Sequence, residues 1–584
     1  SKSNQIENEE IPQAVSDIVM KLLAKNAEDR YQSAAGLKFD LETCLQQLET
    51  TGKIENFPIG QRDIGSQLLI PQKLYGRERE VQTLMNAFER VSFGATEMML
   101  VSGYSGIGKT SIVNEVHKPI VEARGYFIAG KFDQFKRNIP YAALIQAFQD
   151  LIRQLLTESS EKIAIWKEKL LNALGQNGQL VVDVIPEVEL IVGEQPEVPQ
   201  LGSTESQSRF NRVFQKFIHI FCQPEHPLVL FLDDLQWADS ASLKLIQMLM
   251  TETNSHYLLM IGAYRDNEVS PTHPLVETLE KIQSTGAVVN NITLGSLAVS
   301  HVNLLVAETL RSGSETQLLE QPTQPLAELL FNKTQGNPFF LTQLLKTLYA
   351  EKLLVYNADT GRWLWEIAQS QAISITDCGV VELVARNIQK LQKNTQHVLK
   401  LAACIGNQFN LNVLAIVNEE STTVTAAHLW DALQEGLILP LSDSYKIPLV
   451  FGQSELENLT FDDSRVAYKF LHDRVQQAAY SLIPVSEKKA THLKIGELLL
   501  KNMTPEEQQE NIFALVNQLN FGADLITAQL EKDKLVSLNL IAGQKAKAAM
   551  AYEAAVKYLN LGLELLAAES WLQSYDLTLA LYVE

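Results

Sequence analysis

Residues 103–110 form the octapeptide GYSGIGKT, which fits the pattern G-x-x-x-x-G-K-[ST] at every defined position. The residues before it, MMLVS (98–102), form a short apolar run typical of a β-strand, and residues 111–123 have the apolar periodicity of a helix. Glycines between a strand and a helix let successive backbone N–H groups converge at the helix N-terminus, where the helix dipole favours negative charge. We therefore predict a phosphate-binding loop in a parallel α/β sheet rather than a glycine-rich turn without a ligand.

The residue types of this loop indicate which ligand each position would contact. Lys109 would reach the β- and γ-phosphates of ATP, and the hydroxyl group of Thr110 would bind Mg²⁺. The predicted nucleotide-binding residues of the loop are Gly103, Gly106, Gly108, Lys109, Thr110 and Ser111. The loop thus predicts ATP or ADP, together with Mg²⁺, as the cofactors of this chain.

A second motif, PLVLFLDDLQWAD, spans residues 227–239. Five consecutive apolar residues favour a central parallel strand that is buried on both faces, and two carboxylates follow where such a strand ends. Ligands of open α/β sheets bind at this carboxyl edge. We predict that Asp233 holds Mg²⁺, mostly through water, and that Asp234 orients or deprotonates the attacking water. The alternative for the aspartate pair is a simple turn at the strand end.

A third run, YLLMIGAYR (257–265), predicts another buried strand, which ends in Arg265. A fixed cation at this position can sense a γ-phosphate and favour the charge of the transition state. Arg265 is therefore a candidate catalytic residue beside Asp234 and Lys109. The alternative is that Arg265 pairs with the nearby Asp266 or Glu268 on the surface.

Length and composition set outer limits on the function. A chain of 584 residues is too long for one core and should contain roughly three to five domains. The net charge of −20 argues against a duplex nucleic acid partner, because phosphate backbones need a basic surface, although a local basic patch stays compatible. No run of 18 apolar residues and no signal-peptide core occur, so we expect no membrane segment.

The four cysteines indicate neither a disulfide framework nor a zinc site, because they lie far apart and form no C-x-x-C pair. They are Cys44, Cys222, Cys378 and Cys404. We interpret them as small buried residues of a protein in the reducing cytoplasm.

Together with two further motifs, these features resemble the signal-transduction ATPases with numerous domains (STAND), a class within the AAA+-like P-loop proteins. LYGREREVQTLMNAF (74–88) matches the entry motif G-R-x-x-E, which implies that Arg77 lies over the adenine; otherwise Arg77 is a solvated residue at a helix N-terminus. KTQGNPFFLTQLLKTL (333–348) matches the lid element, which implies that Pro338 packs on the base; locally, G-N-P is only a helix breaker. Arg265 matches the sensor arginine of the same class.

The phrase YKFLHDRVQQAAY (468–480) contains a further point of resemblance. His472 and Asp473 match the histidine-aspartate motif with which related switches hold the β-phosphate of ADP. A neutral or protonated imidazole can donate to phosphate, and it could favour the closed ADP state over the ATP state. The alternative is a histidine at a helix N-terminus without a ligand.

The fold class that follows is an α/β P-loop NTPase domain, with a parallel sheet and helices on both faces, followed by helical and winged-helix regions.

Residues 11–50 predict two or three helices and, in the phrase KLLAKNAEDRYQSA, resemble the end of a Ser/Thr kinase C-lobe; an ordinary helical pair is the alternative. The glutamate that would pair with Arg30 is missing, and so are the catalytic motifs, so this segment cannot phosphorylate anything. The predicted domains are a kinase-like tail (1–50, incomplete), a linker (51–73), the ATPase domain (74–294), a helical lid (295–370), a winged-helix-like domain (371–485) and a tetratricopeptide-like helical repeat (486–584, incomplete).

This layout resembles the middle of large bacterial signalling proteins, as in filamentous cyanobacteria, that join an N-terminal Ser/Thr kinase to a C-terminal sensor histidine kinase. The chain begins without Met and ends inside an apparent helix, so we expect a fragment whose kinase domains lie in cis in the parent protein. No phosphoacceptor box of a histidine kinase occurs here. We further expect protein partners at the helical repeat, and a nucleotide-dependent oligomer is compatible with the resemblance.

Three functions are then open. The first is an ATPase that acts as a switch, closed with ADP and opened by ATP with Mg²⁺, with slow hydrolysis resetting the cycle. The second is a protein-binding scaffold with a structural nucleotide, against which Lys109, Asp233 and Asp234 argue, because a scaffold needs no carboxylate to orient water. The third is a phosphotransferase acting on a small acceptor, for which no acceptor-site motif exists.

Overall fold

The computed structural model describes residues 11–24, 30–31, 34–60, 68–134, 137–199, 203–252, 255–310, 323–357, 362–365, 379–450 and 466–584. These residues form two compact units. The first comprises the described residues of Ser1–Gly76 and Ser296–Asp377, and the second comprises those of Arg77–Gly295 and Cys378–Glu584. The chain therefore passes from the first unit to the second, back to the first, and again to the second.

The N-terminal segment of the first unit contains two described helices, α1 (Gln13–Leu22) and α2 (Ala34–Thr51). They pack through a small core around Ala14, Ile18 and Cys44. The predicted helical segment is thus confirmed, and it buries few residues by itself. Arg30 donates from Nε to the Ala24 carbonyl oxygen at 2.8 Å.

The second unit begins with alternating helices and strands, as the motifs predict. Their bounds are α3 (Glu78–Ser92), β1 (Thr96–Ser102), α4 (Lys109–Glu122), β2 (Tyr126–Lys131), α5 (Ala142–Leu155), α6 (Ser160–Leu174), α7 (Gln179–Val182), α8 (Glu189–Val192), α9 (Ser203–His219), β3 (Leu228–Asp233), α10 (Ser240–Thr251), β4 (Leu258–Tyr264), α11 (Pro274–Ser284) and β5 (Val288–Thr293). The five strands form one sheet in the order β2-β3-β4-β1-β5. Every neighbouring pair is parallel, so the predicted parallel α/β sheet is confirmed.

The strand register determines which side chains meet at the carboxyl edge of this sheet. Lys131 of β2 lies opposite Asp233 of β3, and Ser102 of β1 lies opposite Tyr264 of β4. Each of these residues ends its strand. The segments that follow the strands, including GYSGIGKT after β1, therefore begin along one edge.

The large apolar core lies between the sheet and the helices, and α9 contributes an aromatic row to it. Phe210, Phe214, Phe217 and Phe221 are each 1% exposed or less. Successive members of the row lie 5.0–6.0 Å apart by ring centroid. These four side chains therefore contribute to packing of the apolar core.

The remaining segment of the first unit is mainly helical. It contains α12 (Val299–Thr309), α13 (Gln324–Thr334), α14 (Pro338–Ala350), and a hairpin of β6 (Leu354–Asn357) with β7 (Arg362–Trp365). Its core gathers leucines of the three helices with Tyr75 and Trp363. Tyr75 donates from its hydroxyl group to Glu308 Oε2 at 2.8 Å, which ties residues before the ATPase segment to α12.

Residues 379–481 return to the second unit as short helices with a small sheet. Their bounds are α15 (Gly379–Gln389), α16 (Lys393–Ile405), β8 (Gln408–Asn410), α17 (Leu411–Asn418), α18 (Thr422–Gln434), β9 (Ile438–Pro440), α19 (Ile447–Val450), β10 (Ala467–Phe470) and α20 (Asp473–Ser481). The sheet order is β8-β10-β9, and both pairs are antiparallel. Helices with a small antiparallel sheet are the elements expected of a winged-helix-like region. The strand β9 lies within the apolar run LILPL (437–441).

The described C-terminal region is helical. It contains α21 (Val485–Asn502), α22 (Pro505–Glu510), α23 (Ile512–Phe521), α24 (Gln529–Ala548), α25 (Tyr552–Leu565), α26 (Ser570–Gln573) and α27 (Tyr575–Val583). The long helices α24 and α25 cross closely at Gly543, where an added Cβ would lie 2.7 Å from Leu559 Cδ2. A glycine at position 543 therefore permits the close crossing of these two helices.

Two other predictions concern the whole chain. No helix among the described residues has the length and apolar character needed to span a bilayer. Cys44, Cys222 and Cys404 are free and buried, and burial raises the pKa of each thiol. Cys378 lies outside the described residues.

Gly130 in β2 provides a test of the packing of α5 on the sheet. A Cβ at this position would lie 1.8 Å from the Ala143 carbonyl oxygen, which is backbone and cannot move aside like a side chain. Gly130→Ala should therefore lower the free energy of unfolding by about 2 kcal/mol or more. Denaturant titration followed by circular dichroism measures this loss. Gly295→Ala is the control, since its Cβ meets nothing within 4 Å; equal losses in the two variants would contradict the predicted clash.

Candidate functional site

The GYSGIGKT loop connects β1 to α4 in the way that the motif requires. Gly103, Gly106 and Gly108 all have positive φ angles, of 146°, 78° and 100°. An added Cβ at Gly103 would lie 2.7 Å from the Leu294 carbonyl oxygen, whereas one at Gly108 would meet nothing within 4 Å. Glycine is therefore required at Gly103 by packing and at all three positions by backbone conformation.

Lys109 and Ser111 lie in the first turn of α4. Lys109 is buried, and its Nζ donates to the carbonyl oxygens of Gly103 at 2.8 Å and Tyr104 at 3.0 Å. Burial lowers the pKa of Lys109, while Asp233 and Asp234 act in the opposite direction. The ammonium group thus lies within the loop that is predicted to bind phosphate. Ser111 is exposed beside it.

Thr110 and Asp233 form the predicted magnesium pair. Thr110 Oγ1 donates to Asp233 Oδ2 at 2.8 Å. Burial raises the pKa of Asp233, and the neighbouring Asp234 adds to this effect. A hydroxyl and a carboxylate oxygen at this distance suit Mg²⁺, which prefers oxygen ligands and keeps several of its waters. The residues present therefore fit the predicted ion.

Asp234 is held by polar groups on both of its carboxylate oxygens. Oδ1 accepts from Gln236 Nε2 at 2.7 Å and lies 3.2 Å from Arg265 Nε, while Oδ2 lies 3.2 Å from Lys131 Nζ. Its backbone has φ 57°, a left-handed conformation that non-glycine residues rarely adopt. The carboxylate predicted to act on water is thus engaged by two cations in this conformation.

Arg265 has the ion pair that the alternative interpretation expected, but in a buried setting. Its NH1 lies 2.8 Å from Glu268 Oε1, and its NH2 lies 2.5 Å from Asp473 Oδ2. The guanidinium carbon lies 4.5 Å from the centre of the Trp237 ring. Arg265 is only 2% exposed, so the expected surface location is wrong. Burial alone would lower the pKa of Arg265, but Asp234 and Asp473 raise it.

Asp473, the first residue of α20, joins the winged-helix-like region to this edge of the sheet. Its Oδ1 lies 2.7 Å from Lys131 Nζ and accepts from Asn407 Nδ2 at 2.9 Å. The Asn407 backbone N–H donates to Asp133 Oδ2 at 3.1 Å. Burial would lower the pKa of Lys131, but Asp473 and Asp234 raise it, so this lysine is charged. Lys131, Asp234, Arg265 and Asp473 form what we term the edge network.

His472 precedes α20 and caps it. Its Nδ1 accepts from the Arg474 backbone N–H at 3.1 Å, which places the proton of the neutral ring on Nε2. Burial, together with the positive charges of Lys131 and Arg265, holds the pKa of His472 well below its ordinary value. The imidazole is therefore neutral, and Nε2 is the atom that could donate to a phosphate.

The two residues predicted to contact the base belong to different compact units. Arg77 donates from NH2 to the Gly295 carbonyl oxygen and lies 3.5 Å from Glu80 Oε1, and it is buried rather than solvated. Pro338 is the first residue of α14, in the other compact unit. Asn337 caps α14 by accepting from Phe339 and Phe340, as the helix-breaker interpretation expects. The adenine contacts of Arg77 and Pro338 stay predictions.

Four polar or aromatic residues of the site were missed by sequence reasoning: Lys131, Gln236, Trp237 and Asn407. Two had a usable signal. Lys131 ends the largely apolar run YFIAGK (126–131), and Gln236 lies two residues after the aspartate Asp234. Asn407 lies in sequence far from every motif and gave no local signal.

Comparisons with known proteins agree with the ATPase motifs. Residues 73–261 match the family model described as an AAA ATPase domain. The hybrid signal transduction histidine kinase G of Dictyostelium discoideum is 32% identical over 700 aligned positions, which cover 99% of this chain and 20% of that protein. The peroxide stress-activated histidine kinase mak3 of Schizosaccharomyces pombe is 20% identical, with 88% of this chain and 24% of that protein covered.

Among solved structures, a STAND protein with a tetratricopeptide repeat sensor from Pyrococcus horikoshii is similar at a TM-score of 0.41 and 13% identity, covering 88% of this chain and 61% of that one. The chain spans about a fifth to a quarter of the length of the two histidine kinases. The family model confirms the resemblance to AAA-type ATPases, and the two histidine kinases confirm the resemblance to signalling proteins. Residues 73–261 of this chain thus match the AAA ATPase domain model, within a sequence that is similar along 99% of its length to part of a hybrid histidine kinase.

Proposed function

We propose that this chain is an ATP-binding and ATP-hydrolysing switch within a larger signalling protein. It is closed when ADP is bound and is opened by ATP with Mg²⁺. The observation that carries the proposal is the edge network, in which Asp473 of the winged-helix-like region is paired with Lys131 and Arg265 beside Asp234. A partner for the sensor arginine is thus contributed by an element outside the ATPase domain.

Burial makes this pairing sensitive to the loss of any member. Asp234, Arg265 and Asp473 are each 5% exposed or less. Removing one partner of a buried ion pair leaves the other charge uncompensated, at a cost of about 3–5 kcal/mol. The network therefore supports a two-state element, which is either assembled with Asp473 present or rearranged with new partners.

Competition for Arg265 explains how the bound nucleotide could determine which of the two states is populated. A γ-phosphate offers Arg265 an anion that can replace Asp473, whereas ADP lacks this group. A ligand shifts a conformational equilibrium only through its different affinities for the two states. ATP would thus favour release of α20, and ADP would leave the network intact. A bound Mg²⁺, held by Thr110 and Asp233, would neutralise phosphate charge.

The wider role follows from the relatives and stays part of the proposal. We propose that kinase domains lie in cis in the parent protein, that the helical repeat (486–584) binds a protein partner, and that the protein acts in the cytoplasm without a nucleic acid partner. The winged-helix-like region would transmit the state of the nucleotide to these parts. An oligomer that forms only in the ATP state is compatible with this scheme.

A scaffold with a structural nucleotide is the second candidate. The observation that favours it is the engagement of both Asp234 oxygens by Lys131, Arg265 and Gln236, which leaves water activation to another conformation. Turnover by the purified wild-type protein separates the two candidates, because a scaffold binds ATP without releasing phosphate.

The first prediction separates binding from hydrolysis. Lys109→Ala should abolish ATP binding, because it removes the cation predicted to reach the phosphates, while Asp234→Asn should bind ATP but stop turnover. Isothermal titration calorimetry with MgATP and a phosphate-release assay measure the two quantities. Lys118→Ala is the control, since Lys118 lies on the same helix with an exposed side chain. Tight ATP binding by Lys109→Ala would contradict the assigned loop.

The second prediction concerns Asp473. Asp473→Asn keeps the shape of the side chain but removes the charge that compensates Lys131 and Arg265, so the closed state should weaken. We expect the release of fluorescent ADP in a stopped-flow assay to accelerate by about tenfold or more. Asp431→Asn in α18, a half-buried aspartate of the same region, should leave the rate unchanged. Equal release rates for wild type and Asp473→Asn would exclude the edge network as the lock.

The third prediction uses the charge state of His472. Above a pH of about 6.5 the imidazole is neutral in both states, so pH has no effect. Below that value the open state binds a proton that the closed state resists, because the buried ring faces Lys131, Arg265 and Arg474. The nucleotide-free closed state should therefore lose up to about 1.4 kcal/mol per pH unit as the pH falls from about 6.5 to about 5.5, and denaturant titration over this range measures the loss.

His472→Ala tests both the pH effect and the phosphate contact. The variant should release ADP faster than wild type at pH 7.5, and its nucleotide-free form should lose less stability than wild type between pH 6.5 and pH 5.5. His397→Ala is the control, because burial also lowers the pKa of His397, in a different helix, α16. An unchanged ADP release rate in His472→Ala would remove its role as the phosphate contact.

A further inference from the structure

Gln236 lies between the two strand ends that carry the candidate catalytic residues. It is 3% exposed, and both ends of its side-chain amide are used. Nε2 donates to Asp234 Oδ1 at 2.7 Å, and Oε1 accepts from the Arg265 backbone N–H at 3.1 Å. One amide thus links the carboxylate that follows β3 to the arginine that follows β4.

The segment around Gln236 is itself fixed to the protein. The Trp237 backbone N–H donates to the Asp234 carbonyl oxygen at 2.9 Å, which closes a turn. His273 Nδ1 accepts from the Leu275 backbone N–H, so the neutral ring carries its proton on Nε2, which lies 3.1 Å from the Gln236 carbonyl oxygen. The backbone from which the Gln236 side chain extends is therefore fixed by contacts to Asp234 and His273.

The backbone conformation of Asp234 is independent evidence that the contact with Gln236 has a function. A left-handed conformation at a non-glycine residue costs about 1–2 kcal/mol and persists only where surrounding contacts impose it. The bond to Gln236 is one of those contacts. Strain of this kind is concentrated at functional sites, where it orients a reacting group.

We infer that Gln236 is a positioning residue for the ATPase reaction, an inference that rests on the proposed function. Gln236 and Arg265 both approach Oδ1 of Asp234, whereas Lys131, which is shared with Asp473, approaches Oδ2. When α20 leaves with Asp473, Oδ1 stays bonded to Gln236 while Oδ2 loses the lysine that Asp473 helps to hold. Oδ2 is therefore the oxygen that acts on water. Gln236 fixes its orientation by holding Oδ1 of the same carboxylate.

The same amide couples Asp234 to Arg265. Because Oε1 holds the Arg265 backbone N–H while Nε2 holds the carboxylate, the distance between the two groups is fixed by the length of one side chain. The carboxylate that would act on water and the guanidinium that would meet the γ-phosphate then stay in register through the opening motion.

Two substitutions separate the two halves of the amide. Gln236→Leu removes the donor and the acceptor, while Gln236→Glu keeps an acceptor for Arg265 and places a second carboxylate against that of Asp234. Both should lower kcat for ATP hydrolysis by about tenfold or more, since the loss of one hydrogen bond to a charged group is worth at least that factor. The KM for ATP should stay within about twofold, because neither variant alters the phosphate loop.

Hydrogen exchange followed by mass spectrometry gives a readout that does not depend on turnover. The Arg265 amide should exchange about tenfold faster or more in Gln236→Leu, and it should keep its protection in Gln236→Glu. Gln223→Leu is the matched control, because Gln223 is half-buried in the same domain and its amide bonds to backbone carbonyls. This control should change neither kcat nor the exchange of Arg265.

The outcomes distinguish the inference from the function on which it rests. A wild-type protein without turnover contradicts the proposed hydrolysis. A wild-type protein with turnover, combined with an unchanged kcat in Gln236→Leu, overturns the positioning role alone. A fall in kcat that is matched by Gln223→Leu also overturns it. If Gln236→Leu fails to fold, Gln236→Met decides, because it also removes both halves of the amide at a similar side-chain length, and a normal kcat in that variant excludes the assigned contact to Asp234.

Discussion

Charge compensation away from water is the constraint on which the candidate site depends. Two cations, Lys131 and Arg265, and two carboxylates, Asp234 and Asp473, meet at the carboxyl edge of the parallel sheet. An unpaired charge at such a position is costly, so the four side chains stabilise the arrangement only as a set. Because Asp473 begins helix α20, the same requirement that neutralises the ATPase edge also holds the winged-helix-like region against it.

The sequence predicted this edge of the sheet because most of the information is local. Three apolar runs predicted β1, β3 and β4, and polar or glycine-rich residues followed each run where a parallel strand must end. The octapeptide 103–110 placed Lys109 and Thr110, and the aspartate pair placed Asp233 next to that threonine, as the hydrogen bond between them shows. Parallel pairing then brings the strand ends together without any further information.

Contacts between distant segments could not be predicted in the same way. Asn407 reaches Asp473 only because β8 and β10 pair, and that pairing depends on the three-dimensional path of residues with no motif. Lys131 was visible as a lysine at the end of an apolar run, but its two carboxylate partners, Asp234 and Asp473, lie far apart in the sequence. Arg265 was predicted as a sensor or as a surface ion pair, and the structure combines an ion pair with burial, which periodicity alone does not specify.

The guanidinium of Arg265 has a consequence for what could replace it. Its Nε, NH1 and NH2 each face a different carboxylate, those of Asp234, Glu268 and Asp473, while its flat surface covers the Trp237 ring. A lysine has the same charge, but its single tetrahedral ammonium group cannot serve three acceptors arranged in a plane and also stack on an indole. At this junction the shape of the cation, and not only its sign, connects three parts of the chain.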